Sequence, residues 1–299
     1  MASTSDYLKL HFIVFLWGFS AILGKLVIIP AVEMVFFRAI LAALGMGAVI
    51  FFTRGKFSVS NQDLGRLLMI GFIVAIHWLS FFGSARVSNV SVSLVGFATN
   101  SLWAAFLEPM FNRTKIKSYE VILGVVVMLG LYIIFSFDFE YKLGLALGVM
   151  AGFTSALFSV FNSKMVKRIP SKTITFYEMI GVFISIGFAL PLYQQHVLKN
   201  QALQLTPPLM DWVYIALLAG VCSVYAYTVA VELMKRVSVF MIQLTLNLEP
   251  LYGIVMAVLI FGSAEKMTTN FYLGTFIILI AVAIYPLMRK RFDKKVLID

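Results

Sequence analysis

The feature that most constrains this chain is a succession of apolar segments, each about 20 residues long, separated by short charged stretches. A helix needs about 20 residues to cross a hydrocarbon core of about 30 Å. Of the 299 residues, 61% are apolar and 13% are charged. A soluble domain of this size would carry more charged residues. We therefore interpret the chain as an all-α integral membrane protein.

The apolar runs predict ten transmembrane spans, numbered here in chain order. A retained first span is expected, because it is too long for the apolar core of a signal peptide and no small-residue cleavage site follows it. The spans cover residues 10–29, 33–52, 66–85, 90–111, 119–137, 143–164, 173–193, 211–234, 238–262 and 270–288.

The distribution of Lys and Arg predicts the orientation, because basic residues accumulate on the cytoplasmic side of membrane proteins. With the N-terminus inside, both termini are cytoplasmic. The basic residues on that side are Lys9, Arg54, Lys56, Arg66, Arg113, Lys115, Lys117, Lys164, Lys167, Arg168, Lys172, Lys235, Arg236, Arg289, Lys290, Arg291, Lys294 and Lys295. The opposite side holds only Arg86, Lys142, Lys199 and Lys266, while Lys25 and Arg38 lie within spans.

An internal repeat is visible at a spacing of 150 residues. The tripeptide Arg86-Val87-Ser88 recurs as Arg236-Val237-Ser238, and Gly124 recurs as Gly274. We therefore predict two five-span repeats, over residues 1–138 and 139–299, the second ending in a basic cytoplasmic tail. Because five is odd, the second repeat crosses the membrane in the opposite sense, an arrangement typical of secondary transporters with a substrate site near the midplane.

These features, together with the run from Trp17 to Lys25, resemble the EamA branch of the drug/metabolite transporter superfamily. The resemblance implies export of small metabolites, often amino acids or related compounds. It also implies that spans 1, 3, 4, 6, 8 and 9 surround a central cavity. The two halves differ within the fourth and ninth spans. The first half has Thr99-Asn100 at the positions where the second half has Glu249-Pro250.

Other classes of protein lack their signatures in this sequence. The single cysteine, Cys222, excludes an intrachain disulfide framework. His11, His77 and His196 are far apart, so we predict no metal site and no cofactor. An integral-membrane enzyme, the alternative function together with a sensor, would need a catalytic motif, and none of the common ones is present. Because the basic residues follow membrane topology, nucleic acid binding is also rejected.

Glu249 is the first candidate for a substrate or coupling site. It lies near the predicted midplane, where a charged group costs on the order of 3 kcal/mol. Pro250 follows it and has no N–H, so the Leu246 carbonyl loses its intrahelical donor. Asn247 is two residues away. A carboxylate beside a freed carbonyl suits a substrate ammonium or a coupling proton, and the alternative is a neutral Glu bonded to a neighbouring helix.

Asn100 and His77 reach a similar predicted depth, and both are further candidates. Asn100 is the repeat mate of Pro250. His77, followed by Trp78, is a titratable group near neutral pH, although a neutral histidine satisfied by a serine or a carbonyl is the alternative. Its repeat mate is Tyr227, close to Tyr225. These two tyrosines suit stacking on a ligand, and core packing is the alternative interpretation.

Arg38 and Lys25 form a predicted positive region in the outer half of the membrane, with Glu33 near them. Such a region suits attraction of a carboxylate substrate, and structural snorkelling is the alternative. Depth argues against pairing Arg38 with Glu178. The partners we expect are a small-molecule substrate, the lipid bilayer and, as candidate coupling ion, a proton. We expect a monomer or homodimer in the cell inner (plasma) membrane.

Overall fold

A computed structural model describes residues 2–135, 141–249, 252, 253, 256, 259 and 268–292 of the chain. All regular structure in these ranges is helical. The α-helices are α1 (Thr4–Leu26), α2 (Ala31–Phe52), α3 (Asn61–Val87), α4 (Val90–Phe97), α5 (Asn100–Asn112), α6 (Ser118–Phe135), α7 (Lys142–Met165), α8 (Ser171–His196), α9 (Leu209–Leu217), α10 (Thr228–Leu233), α11 (Val239–Leu246) and α12 (Thr269–Phe292). A π-helical segment, Leu218–Tyr227, joins α9 to α10.

The helices are long and apolar enough for a membrane protein. Among the described residues, six stretches have the length and composition to cross a bilayer, and shorter apolar stretches lie in α6 and α12. Large apolar side chains face outward, as in Phe52, Phe188 and Leu209, which are 80%, 79% and 80% exposed. Water disfavours such a surface, whereas lipid accepts it. The chain is therefore a multi-pass membrane protein. The six stretches are Thr4–Leu26, Ala31–Phe52, Asn61–Val87, Lys142–Met165, Ser171–His196 and Leu209–Leu233.

The fourth and ninth spans are broken, which the sequence analysis did not predict. The fourth was expected to be continuous over 90–111, but α4 ends at Phe97 and α5 begins at Asn100. The ninth turns in the same way after α11, at Asn247 and Leu248. At both places the backbone forms a 3₁₀-type turn, with hydrogen bonds between residues three apart. These join Thr99 N–H to Gly96 O at 3.3 Å and Leu248 N–H to Thr245 O at 3.0 Å.

Three glycines spaced four residues apart on α7 let α4 and the end of α3 approach closely. A Cβ added at Gly148 would lie 2.9 Å from Gly96 Cα, and one at Gly152 would lie 2.8 Å from Phe97 O. Gly144 lies against Ser88 in the same way. Small residues at this spacing are typical of membrane helix interfaces. The first break is thus packed directly against the first helix of the second repeat.

Polar contacts fasten the bundle at the end that we predict to be cytoplasmic. Arg168, in the turn after α7, binds Asp63 of α3, with one nitrogen 2.6 Å from Oδ1 and the other 2.7 Å from Oδ2. Glu108 of α5 accepts hydrogen bonds from the Val239 and Phe240 N–H groups at 3.1 and 2.7 Å. Its carboxylate therefore caps the N-terminus of α11, where free amides and the helix dipole favour negative charge.

Other contacts hold the opposite end. Asp211 of α9 accepts hydrogen bonds from the N–H groups of Ile28 and Ile29, each about 3.0 Å long. Arg86 of α3 donates to the carbonyls of Gly24, Val27 and Ile29 at the end of α1. Both ends of the bundle are therefore joined across helices.

Candidate functional site

A small cavity of about 60 Å³ lies at the centre of the bundle. Ligand pockets usually measure about 300–1,000 Å³, so this cavity is smaller than a typical ligand pocket. Aromatic rings dominate its wall, with a few polar and charged side chains among them. The lining residues are Trp17, Ser20, Arg38, His77, Trp78, Phe81, Phe82, Phe97, Ser155, Phe158, Ser159, Cys222, Tyr227, Ala230, Val231, Met234, Ile242, Leu246 and Glu249.

Arg38 enters the cavity from α2, a helix that the family resemblance did not place around it. Its guanidinium carbon lies 3.9 Å from the centroid of the Trp78 ring, an attractive cation–π distance. Its Nε donates to Ser223 Oγ at 2.9 Å. The side chain is 3% exposed, and no carboxylate in the described part of the chain lies within ion-pair distance of it. Arg38 is therefore a buried cation that lines the cavity and is held by Trp78 and Ser223.

Glu249 contributes a carboxylate to the same cavity, just after the break that follows α11. It is 3% exposed and accepts no hydrogen bond from any described residue. Pro250, on which part of the sequence argument depends, lies outside the described residues. A buried acid with neither a cation nor a donor needs a proton or a bound ligand to offset the loss of hydration.

His77 lies among the Phe81, Phe97 and Phe158 rings, with centroids 5.4 to 6.2 Å away. Its Nδ1 is 2.9 Å from the Ala151 carbonyl. Because a carbonyl only accepts, Nδ1 carries a hydrogen and Nε2 is left for a ligand or water. The structure therefore shows the carbonyl-bonded histidine that the sequence analysis named as an alternative, and places it in the cavity wall.

The π-helical segment decides which of two neighbouring tyrosines faces the cavity. Residues five apart share a face of a π-helix, and Cys222 and Tyr227 both line the cavity. Ser223 Oγ donates to the Leu218 carbonyl, also five residues away, at 3.1 Å. Tyr225 is 47% exposed and lies edge-on to Phe12. The interpretation of Tyr225 as a ligand-stacking or core residue is wrong, because its position in the segment turns it outward.

Three of the candidates from the sequence are not part of the cavity wall. Asn100 is fully buried, and neither polar atom of its amide has a partner among the described residues. Asn247 donates to Ser101 Oγ at 2.9 Å across the two repeats. Lys25 is partly buried near the end of α1. Glu33 is buried, and one of its oxygens accepts from the Gln204 N–H at 3.3 Å, so Arg38 is not its partner.

Two serines of the cavity wall were not predicted from the sequence. Ser155 and Ser159 are four residues apart on α7, a spacing that places both on one helix face. Gln243 of α11 donates to Ser159 Oγ at 2.8 Å and accepts from Ser155 Oγ at 3.2 Å. That spacing was the available signal. Serines are common in membrane helices, however, so it did not single these residues out.

A bundle of membrane helices around a central cavity, with polar and charged side chains in its wall, is typical of membrane transporters. The sequence model of the EamA-like transporter family matches residues 7–136 and again residues 142–285. The chain therefore belongs to the EamA-like transporter family, within the drug/metabolite transporter superfamily, whose members are transporters and not enzymes. The resemblance stated from the sequence and the two-repeat architecture are confirmed.

Solved structures show the same fold. One, titled "Crystal structure of protein", is similar over 97% of this chain and 99% of its own, with a TM-score of 0.73 and 12% sequence identity. At this identity the likeness concerns the fold alone. In sequence, no curated protein matches this chain significantly.

Proposed function

We propose that this protein is a secondary active exporter of small metabolites that carry a carboxylate, such as amino acids or related compounds, and that it works by alternating access. One observation carries the proposal: the buried Arg38 guanidinium faces the central cavity with no carboxylate within ion-pair distance among the described residues. A buried charge is costly unless it is paired. A substrate carboxylate supplies that pair, and the Trp78 ring holds the guanidinium in place.

Glu249 provides the complementary charge for this class of substrate. It lines the same cavity as Arg38, so an amino acid has an acidic group available for its ammonium and a basic group for its carboxylate. We propose that Glu249 binds either a proton or the substrate amine. It would be neutral when the cavity is occluded and ionised when the cavity opens to water. Such differential binding is what an alternating-access cycle needs.

The test compares labelled amino acids with their decarboxylated amines in proteoliposomes that contain the full chain. Arg38→Gln keeps a polar side chain but removes the cation, so uptake and exchange of every carboxylate substrate should be lost. Lys115→Gln, which neutralises an exposed residue away from the cavity, is the matched control and should behave as wild type. Unchanged transport by the Arg38→Gln protein would refute the carboxylate site.

The proposed orientation places ten spans in the inner (plasma) membrane with both termini in the cytoplasm and residues 194–210 outside. The native Cys222 is buried, which leaves a low labelling background. A cysteine introduced at the exposed Gln201 should react with an impermeant thiol reagent in intact cells. One at the exposed Lys115 should react only after lysis. The reverse pattern would invert the topology.

Three further expectations remain proposals of the same kind. The boundary between the two repeats is placed at residues 138 and 139, the coupling ion is a proton, and the protein is a monomer or a homodimer. An integral-membrane enzyme or a sensor is the alternative function. Within the described ranges no group of three or more His, Cys, Asp or Glu residues is placed to hold a metal ion.

A further inference from the structure

A second buried acid lies behind the cavity wall. Glu178, in α8, is fully buried. Its Oε2 accepts a hydrogen bond from the Tyr227 hydroxyl at 2.6 Å and another from Asn162 Nδ2 at 3.3 Å. Asn162 Nδ2 also donates to the Tyr227 oxygen at 3.0 Å. These three side chains, which come from α8, α7 and the π-helical segment, form a closed polar cluster.

The cluster is short of hydrogen-bond donors. Glu178 Oε1 and Asn162 Oδ1 are both buried and have no partner among the described residues. Both are acceptors when the carboxyl group is ionised. A proton on Glu178 turns one of these acceptors into a donor and removes the buried charge, so the geometry favours a site that binds a proton.

No cation from the described residues offsets a negative charge on Glu178. Tyr227 is the titratable group in contact with it, and α3 presents Gly71 to its backbone carbonyl. Other ionisable side chains on α2, α3, α7, α8 and α10 form hydrogen bonds with groups other than Glu178. They are Glu33, Arg38, Asp63, Arg66, His77, Arg86, Lys164, Lys172, Tyr177 and Glu232.

Tyr227 connects this cluster to the cavity. Tyr227 lines the cavity, and its hydroxyl contacts Glu178. A hydroxyl both donates and accepts, so it can pass a proton along a chain of hydrogen bonds. In such a relay a hydronium ion in the cavity gives a proton to the Tyr227 oxygen and becomes water, while the Tyr227 hydrogen moves to Glu178 Oε2. The reverse steps release the proton.

We propose that Glu178 is a proton-binding site that exchanges protons with the central cavity through the Tyr227 hydroxyl. Its use for coupling rests on the proposed transport function, whereas the binding of the proton does not. Glu249 takes its proton or amine directly in the cavity. Glu178 holds a proton out of reach of the substrate, so the two acids have separate roles.

The experiment is an infrared pH titration of the purified full chain in lipid nanodiscs, without substrate, in which a protonated carboxyl group gives its own C=O band. Glu178→Gln keeps an acceptor for Tyr227 and should remove one such band. Glu249→Gln should leave that band in place. An identical titration for the Glu178→Gln protein and the wild type would overturn the proposal.

Tyr227→Phe tests the connection and keeps Glu178 in place, so it serves even if the Glu178→Gln protein fails to fold. Removing the 2.6 Å hydrogen bond should shift the Glu178 band and slow its hydrogen–deuterium exchange. An unshifted band that exchanges at the wild-type rate would show that Tyr227 does not carry the proton. Neither readout needs transport, so a failure of the exporter proposal is seen separately, in the proteoliposome assay.

Discussion

The two broken helices meet at the centre of the bundle, and the residues that follow the two breaks have different chemistry. After the first break, Asn100 is buried away from the cavity and has no polar partner among the described residues. After the second, Glu249 lines the cavity. The two breaks are in contact, since Asn247 donates to Ser101. The repeat thus provides two similar backbones, while the side chains assign the acidic group to one of them.

The largest expected effect comes from Glu249→Gln, which keeps shape and hydrogen-bonding capacity but cannot titrate. We expect it to fold and insert, and to lose pH-gradient-driven transport almost completely. Asn100→Leu, at the other break, should retain most of the transport rate. Initial rates in proteoliposomes with and without a pH gradient measure both.

Two outcomes would contradict the different roles that we assign to Asn100 and Glu249. Wild-type rate and pH dependence for Glu249→Gln would make Glu249 structural. A complete loss of transport by a well-folded Asn100→Leu protein would mean that both halves form the site.

A smaller effect is expected from the packing of the first break. Gly148→Ala places a methyl group 2.9 Å from Gly96 Cα, where only backbone movement can relieve the overlap. Overpacking of this kind costs about 1–3 kcal/mol, so the thermal midpoint in detergent should fall. At Gly83, in the neighbouring helix α3, a Cβ meets only Leu147 Cδ1 at 3.7 Å. Gly83→Ala should be neutral or slightly stabilising, and equal losses for both variants would exclude the proposed packing.

The smallest effect concerns the contact between the two breaks. Removing the hydrogen bond between Asn247 and Ser101, 2.9 Å long, should cost about 1 kcal/mol. A double-mutant cycle with Asn247→Ala and Ser101→Ala isolates this term. Strictly additive effects on the free energy of unfolding would indicate that the two side chains do not interact in solution.

Part of this arrangement follows from the sequence because it depends on periodicity and spacing. Apolar length predicts the membrane helices, and the 150-residue spacing between Arg86 and Arg236 predicts the repeat. The position of Glu249 within an apolar run marks it as a group that needs a partner or a function. These features are local, or they repeat along the chain, so one sequence is enough to see them.

The remaining features depend on contacts between distant segments. The stacking of Arg38 on Trp78 joins α2 to α3, and the bond from Tyr227 to Glu178 joins the π-helical segment to α8. In neither pair do the two residues occupy equivalent positions of the two repeats, so the repeat does not predict that they meet. The break at Ala98 and Thr99 has no proline to announce it, and the π-helical segment changes the face on which Tyr225 lies.

The π-helical segment has a consequence for the movement of the eighth span. A π-helix accommodates an extra residue in each turn relative to an α-helix. If the hydrogen bonds of the segment shifted from the π-helical to the α-helical pattern by one residue, α10 would turn about its axis by about 100° and move along that axis by about 1.5 Å. Tyr227 lies at the end of this segment and Cys222 near its middle. Such a slip rotates one cavity residue relative to the other, so the wall of the cavity can change while the helix stays intact.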